Sequence, residues 1–297
     1  MTPAPQLANG VVEEWYGDWQ NQEHAIAFDV RAGLDRRNLI RNFESFNDVR
    51  LLKERVDCRL PLTLLEVGCA TGEFYRYVRA TSPRVRYYGI DISHPAIARA
   101  KEKYPQASVF VTDPSALLAE ALQSCGIPAH PDVVYSKDVV HHQTRPLEQL
   151  SQLIQAASQA VIIRTRTRDV GPTEWDPEQS CQFHYGGWMP FIVLNLQELI
   201  EHIMAEAPGA EVVVYRHRMV LGGRYNRFLS KELFLKETGT AETAVGVLKK
   251  TKHPGRVTVE DRVDANPSYT WDYLLKHAAR QARDVLRIPT RPMNGYS

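Results

Sequence analysis

The stretch Leu64-Leu65-Glu66-Val67-Gly68-Cys69-Ala70-Thr71-Gly72-Glu73-Phe74 constrains this chain more than any other. A short apolar run ends in an acid, passes two glycines four positions apart, and continues as an apolar, helix-like segment. A buried parallel strand, a tight turn and a helix read this way. The glycines, lacking Cβ, let the turn pack closely against a ligand. A second apolar run, Tyr87-Tyr88-Gly89-Ile90-Asp91, also ends in an acid. Acids and glycines at the ends of neighbouring parallel strands point to a nucleoside cofactor bound across those ends.

The spacing argues against a dinucleotide. That fingerprint needs G-x-G-x-x-G, and Gly68, Ala70 and Glu73 stand at its three glycine positions. A glutamate at a helix start repels a pyrophosphate, and Glu66 at the strand end does the same. The acids suit a cationic ligand, and S-adenosylmethionine carries an ammonium and a sulfonium. Glu66-Val67-Gly68-Cys69-Ala70-Thr71-Gly72 resembles the first motif of the class I S-adenosylmethionine-dependent methyltransferases, with Ala70 in place of the middle glycine. Gly89-Ile90-Asp91-Ile92-Ser93 resembles their second motif, Val109-Phe110-Val111-Thr112-Asp113 their third, and Asp132-Val133-Val134-Tyr135-Ser136-Lys137-Asp138 their fourth-strand motif. The resemblance covers 60–165 well and 195–250 loosely. It implies S-adenosylmethionine as cofactor. Glu66, Gly68, Cys69, Ala70 and Gly72 would shape the methionine end. Asp91 and Ile92 would meet the ribose, Asp113 the adenine, and Ser136 and Lys137 the methionine moiety. Taken singly, Asp91 before Ser93 and Pro95, or Asp113 before Pro114, would serve equally as helix caps; the order and spacing of the set favour the cofactor.

The chain has 297 residues, enough for one large domain or two small ones. Lys plus Arg is 36 and Asp plus Glu is 35, a net charge of +1 that argues against a dedicated nucleic-acid binder. Local basic patches are expected at Arg164-Thr165-Arg166-Thr167-Arg168 and Lys249-Lys250-Thr251-Lys252. Cys58, Cys69, Cys125 and Cys181 are scattered and form no C-x-x-C pair, which fits free thiols in a cytoplasmic setting and gives no zinc site. No apolar run approaches the about 20 residues that span a bilayer.

The expected fold is α/β: a Rossmann-like, seven-stranded methyltransferase sheet with helices on both faces, an N-terminal helical cover and a C-terminal appendage. Residues 1–59 form the cover, with Trp15, Tyr16, Trp19, His24 and Phe28 and a helix-periodic stretch over 36–55. These aromatics read as core packing or as a lid over the acceptor. Residues 60–250 form the methyltransferase domain, with strands near 62–67, 85–90, 107–112, 131–136 and 160–165 and helices near 72–80, 94–104, 114–124 and 145–158. Residues 166–194, rich in arginine and aromatics, form an acceptor-side insertion. A helix at 195–206 and strands at 211–219 and 243–249 follow; 220–240 gives no clear pattern. Residues 251–297 form the appendage, with a strand-like run at 257–259 and a helix over 270–286.

Methyl transfer asks the protein to aim an acceptor lone pair at the methyl carbon. For a hydroxyl acceptor a general base helps, and histidine suits neutral pH. His141 and His142, just after the fourth strand, and His184 in the insertion are the candidates. Each also reads as a structural or stacking histidine. Asp138 with His141 and His142 could supply metal ligands, but no second acidic pair accompanies them, so no metal is assigned. Strand four ends in Ser-Lys-Asp-Val, which lacks the signature of base or amide nitrogen methylation. The expected reaction is methyl transfer to oxygen, less readily nitrogen, of a small metabolite, sugar or glycan. The expected partners are that acceptor and a second copy of the chain, not DNA or a membrane. The rivals are a protein or tRNA methyltransferase and a non-catalytic partner subunit of the same fold.

Overall fold

A computed structural model describes residues 17–27, 29, 31–177, 180–184, 187–217, 227–229 and 241–262. Trp15, Tyr16, Phe28 and the helix expected over 270–286 lie outside the described residues.

The first half alternates as the sequence predicts. β1 (Leu62–Val67) leads to α4 (Glu73–Thr81), β2 (Val85–Asp91) to α5 (His94–Lys103), β3 (Ser108–Val111) to α6 (Leu118–Ser124), and β4 (Val133–Lys137) to α7 (Pro146–Ala156). Then come β5 (Ala160–Arg168), β6 (Ser180–His184), β7 (Gly187–Pro190), β8 (Leu194–Asn195), α8 (Leu196–Glu206), β9 (Glu211–His217), β10 (Arg227–Leu229), β11 (Ala241–Leu248) and β12 (Val257–Asp261). Among the described residues three α-helices precede β1: α1 (Gln22–Ala27), α2 (Arg36–Phe43) and α3 (Asn47–Arg55). The helices start where local chemistry directs. Asp35 caps α2 by accepting from Asn38 N, Ser93 caps α5 with Pro95 in its first turn, and Asn195 caps α8.

The main sheet runs β12-β9-β11-β5-β4-β1-β2-β3, with β8 paired to β5. The pairs β3-β2, β2-β1, β1-β4 and β4-β5 are parallel, and β11 runs antiparallel between β5 and β9. The seven strands expected are all present, and β8 and β12 enlarge the sheet beyond them. β12 pairs in parallel with β9, so the segment read as an appendage begins by extending the sheet.

Strand alternation sends neighbouring apolar residues to opposite faces. Leu64, Tyr135, Ile162 and Val213 pack with Phe43, Leu51, Phe74 and Tyr77 of the first four helices but one. Leu65, Val134, Val161 and Val212 pack with Leu122, Leu150, Leu199 and Ile203 of the later ones. α3 lies against β11, β5 and β9 as part of a helical layer, with Val49 and Leu51 fully buried, so this part of the cover is core.

Two further expectations change. The insertion starts after Arg168, because β5 continues through all three arginines. Its later part folds into a three-stranded antiparallel sheet, β10-β6-β7, which draws β10 from the stretch without a clear pattern. The arginine run is not a surface patch: Arg164, Arg166 and Arg168 share one face of β5 and are each at most 7% exposed. Glu242, opposite Arg166 on β11, accepts from Arg164 and lies 2.7 Å from Arg166. Lys249 likewise turns inward, where its Nζ donates to the carbonyls of Ile154 and Ala157 at the end of α7.

Candidate active site

The carboxyl ends of β1, β2, β3 and β4 meet at one cavity of about 460 Å³, a size that takes a cofactor-sized ligand. Glu66, Gly68, Cys69, Ala70, Asp91, Ile92, Asp113, Lys137, His141 and His142 all line it. Gly72 and Ser136 do not. Gly72 is the N-cap of α4, where a positive φ of 77° turns the chain into the helix. Ser136 is fully buried and donates its hydroxyl to Val67 O at 3.1 Å, tying β4 to β1 beneath the cavity. His184 lies on β6 opposite Gly187 of β7.

The first turn is set by backbone hydrogen bonds. Gly68 N and Cys69 N both donate to Ile90 O, at 2.8 and 3.1 Å, which folds the loop over the end of β2. Gly68 adopts φ 81°, and a Cβ there would lie deep inside the radius of Val139 Cγ2. Ala70 takes φ 45°, the left-handed region at the position where the resembling motif has glycine. Its strain is tolerated because Ala70 N donates to Asp91 Oδ2 at 2.8 Å. Ala70→Gly should therefore be neutral or stabilising by up to about 1 kcal/mol, strain relief slightly outweighing the added freedom of the unfolded chain. Thermal unfolding of the variant checks this, and a clear loss of stability would show that the alanine methyl packs usefully.

Asp91 organises the loop from the other side. Its two oxygens accept from Ala70 N and Ser93 N, both at 2.8 Å, and each keeps acceptor capacity. Burial pushes the Asp91 carboxyl up, while the N–H donors of Ser93 and Ala70 pull it down. Glu66 is 5% exposed and accepts from the Tyr87 hydroxyl. Burial pushes it up to about 8, against the Tyr87 hydrogen bond and the Lys137 charge. Asp113 is exposed at the rim, where Ser115 N and Oγ donate to its Oδ1 at 2.8 and 2.6 Å and hold its carboxyl below the usual range.

The second half of the cavity has a different character. Trp19, His142, His141 and Phe191 form an aromatic wall, with ring centroids 5.4 Å apart for Trp19–His142, 4.2 Å for the histidine pair and 4.9 Å for His141–Phe191. His142 Nδ1 lies 2.8 Å from Pro190 O. A carbonyl only accepts, so Nδ1 carries the proton, and in the neutral ring Nε2 carries the lone pair. Asp138 begins the turn with φ 57°, a strained left-handed geometry of the kind that clusters at functional sites. Lys137 lies with Nζ 3.9 Å from the Phe46 ring centre. Burial and the neighbouring Arg31 pull its pKa down to about 8.

Sequence reasoning singled out Glu73 and Arg166 without placing them in the site, and it missed Arg31 and Phe191. It also missed the buried Asp48, which accepts from the Tyr135 hydroxyl behind the cavity. Among the described residues no three His, Cys, Asp or Glu side chains converge as metal ligands would.

Residues 65–161 match the family model of a methyltransferase domain. No curated protein matches the chain in sequence. Among solved structures, phosphoethanolamine N-methyltransferase 2 of Haemonchus contortus, in complex with S-adenosyl-L-methionine, is similar at 14% identity and TM-score 0.52, over 83% of this chain and 61% of that one. The magnesium protoporphyrin IX methyltransferase of Synechocystis PCC 6803 with bound SAM shares 14% identity over 83% of this chain and 100% of that one, at TM-score 0.46. A plantazolicin methyltransferase in complex with SAH shares 18% identity over 81% of this chain and 94% of that one, at TM-score 0.48. Residues 65–161 thus match a methyltransferase domain, set in a Rossmann-like, mostly parallel sheet with helices on both faces.

Proposed function

We propose that the chain moves a methyl group from S-adenosylmethionine to oxygen, with nitrogen the second choice, of a small metabolite, sugar or glycan. The observation that carries this is the division of one cavity into an acidic half at β1–β3 and an aromatic, cationic half at β4–β5. The acidic half fits a cation: Glu66 and Asp91 lie at its floor, and Glu73 has a buried Oε2 with no hydrogen-bond partner among the described residues. When bound, S-adenosylmethionine supplies an electrophilic methyl whose bond to sulfur breaks with the electron pair left on sulfur. Glu66 would offset the positive charge of the ligand. Asp91 would use its remaining lone pairs on the ribose hydroxyls, and Asp113 would meet the adenine.

On the other side the wall from Trp19 to Phe191 would orient the acceptor and exclude water. As its lone pair forms the new bond, the acceptor hydroxyl would lose its proton to His142 Nε2, with Pro190 holding the opposite edge of the ring. His141 would pack beside it, and His184, on the small sheet, would approach from the insertion. Among the described residues no helix is long and apolar enough to cross a membrane. Cys58, Cys69, Cys125 and Cys181 form no disulfide among the described residues, which fits a reducing compartment such as the cytoplasm.

The test is calorimetric titration with S-adenosylhomocysteine, for the wild type and for Asp91→Ala. Micromolar binding is expected for the wild type, with a loss of at least about tenfold in the variant, since both a ligand contact and the Ala70 anchor go. If Asp91→Ala stays folded and binds normally, the ribose assignment is wrong.

A further inference from the structure

Cationic side chains gather at the β4–β5 side of the cavity. Arg31, Lys137 and Arg166 line that side. Three cations crowd one ring: Lys137 Nζ, Arg164 Cζ and Arg31 Cζ lie 3.9, 4.9 and 5.6 Å from the centre of Phe46. The ring faces attract each cation, but the cations repel one another across it. Of the nearby acids, Glu242 serves both Arg164 and Arg166 and Asp138 lies 3.3 Å from Arg164, while Asp48, which accepts from the neutral Tyr135 hydroxyl, offsets part of the charge of Arg31 and Lys137. Arg31 Nε has only a neutral partner in Asn42 Oδ1 at 2.6 Å. Lys137 has no ion pair among the described residues. Arg166 is 6% exposed, and its buried Nε and Nη1 have no hydrogen-bond partner among the described residues.

Buried guanidinium donors left unpaired are costly, and several cations lining one cavity are suited to a planar or tetrahedral oxyanion. A bound sulfonium would add another positive charge to the same cavity. We propose that the acceptor carries an anionic group, a carboxylate or a phosphate, held by Arg166, Lys137 and Arg31. This rests on the methyl-transfer reading above, which makes the β4–β5 side the acceptor side. Arg166 is the specificity-determining residue: it lines the cavity, and its guanidinium is braced by Glu242. The aromatic wall ending at Phe191, 5.9 Å from Arg166 Cζ, places an unsaturated or ring-bearing body next to that anion.

The experiment titrates protein saturated with S-adenosylhomocysteine with three probes of one shape: benzoate, phenyl phosphate and the neutral benzamide. At least one anion should bind about tenfold or more tighter than benzamide, and which of the two wins identifies carboxylate or phosphate. Arg166→Gln should remove that preference while S-adenosylhomocysteine affinity stays within about twofold of wild type. Arg31→Gln, on a less buried side chain, should weaken the preference in the same direction and serves if the first variant does not fold. Equal binding of the three probes, no binding of either anion, or an unchanged preference in a folded variant overturns the proposal and leaves the methyl-transfer reading standing. Failure of S-adenosylhomocysteine itself to bind sinks both.

Discussion

Gly68→Ala should abolish cofactor binding and cost the protein several kcal/mol of stability, the largest effect expected of any single methyl in this chain. Two independent penalties add. A residue with Cβ at φ 81° sits in the left-handed region, which costs roughly 1–2 kcal/mol. The new Cβ also collides with Val139 Cγ2, in the turn that follows β4. Neither side yields easily. Gly68 N is tied to Ile90 O at 2.8 Å, and Val139 sits between the strained Asp138 and the turn that carries His141 and His142. Overpacking of this kind typically costs about 1–3 kcal/mol more. Any relief would push the cofactor turn or the histidine turn out of place, so binding suffers even where the fold survives. Thermal unfolding and S-adenosylhomocysteine titration read the two effects separately. Adding Val139→Ala deletes the colliding methyl and leaves only the backbone penalty, so the double variant should recover most of the lost stability. No recovery would mean that the backbone at Gly68, not its distance from Val139, is what forbids a side chain.

This collision joins two turns about 70 residues apart in the chain, and that separation explains what the sequence could and could not disclose. Glu66, Asp91 and Asp113 were legible because a parallel sheet aligns the carboxyl ends of its strands, so each acid at a strand end falls beside the next. The alternating first half was legible for a related reason: each strand and its helix are local units with their own apolar periods. The cationic half was not. Arg164, Arg166 and Arg168 look like a solvated charge run until β11 brings Glu242 against them from 76–78 positions away. Arg31 belongs to no periodic pattern, and only the packing of α2 carries it to Phe43 and Phe46. The sheet of β10, β6 and β7 escaped because its strands are short and one partner lies about 40 residues beyond the other two. Gly72 and Ser136 read as ligand contacts only by their place in the motifs; a Cβ at Gly72 would face Tyr104, and the Ser136 hydroxyl bonds Val67 O.

Glu66→Gln should raise stability while weakening cofactor binding, a pair of opposite effects that separates a ligand-binding acid from a structural one. Buried Glu66 holds its proton up to about 8, against an ordinary value of 4.5. Between those values the folded chain keeps a proton that the unfolded chain has lost. Folding is therefore favoured less as pH rises through that window, and the penalty is constant above it. Glutamine keeps an acceptor for the Tyr87 hydroxyl and carries no charge, so its stability advantage should be absent below pH 4.5, grow through the window and level off near pH 8. A cationic ligand reverses the preference, because it stabilises the carboxylate. S-adenosylmethionine should bind the wild type more tightly as pH rises toward 8, relative to the variant, and expel a proton from Glu66 at neutral pH. Calorimetry at pH 7 in two buffers of different ionisation heat counts that proton directly. The glutamine variant should release fewer protons and lose at least about tenfold in affinity, the usual cost of neutralising one partner of a charged contact. Equal affinity and equal proton release in the two proteins would leave Glu66 as a buried acid that only costs stability, and the positive charge of the cofactor would then need another counter-ion, for which Glu73, paired with Lys103 through Oε1 and with no hydrogen-bond partner for Oε2 among the described residues, is a candidate.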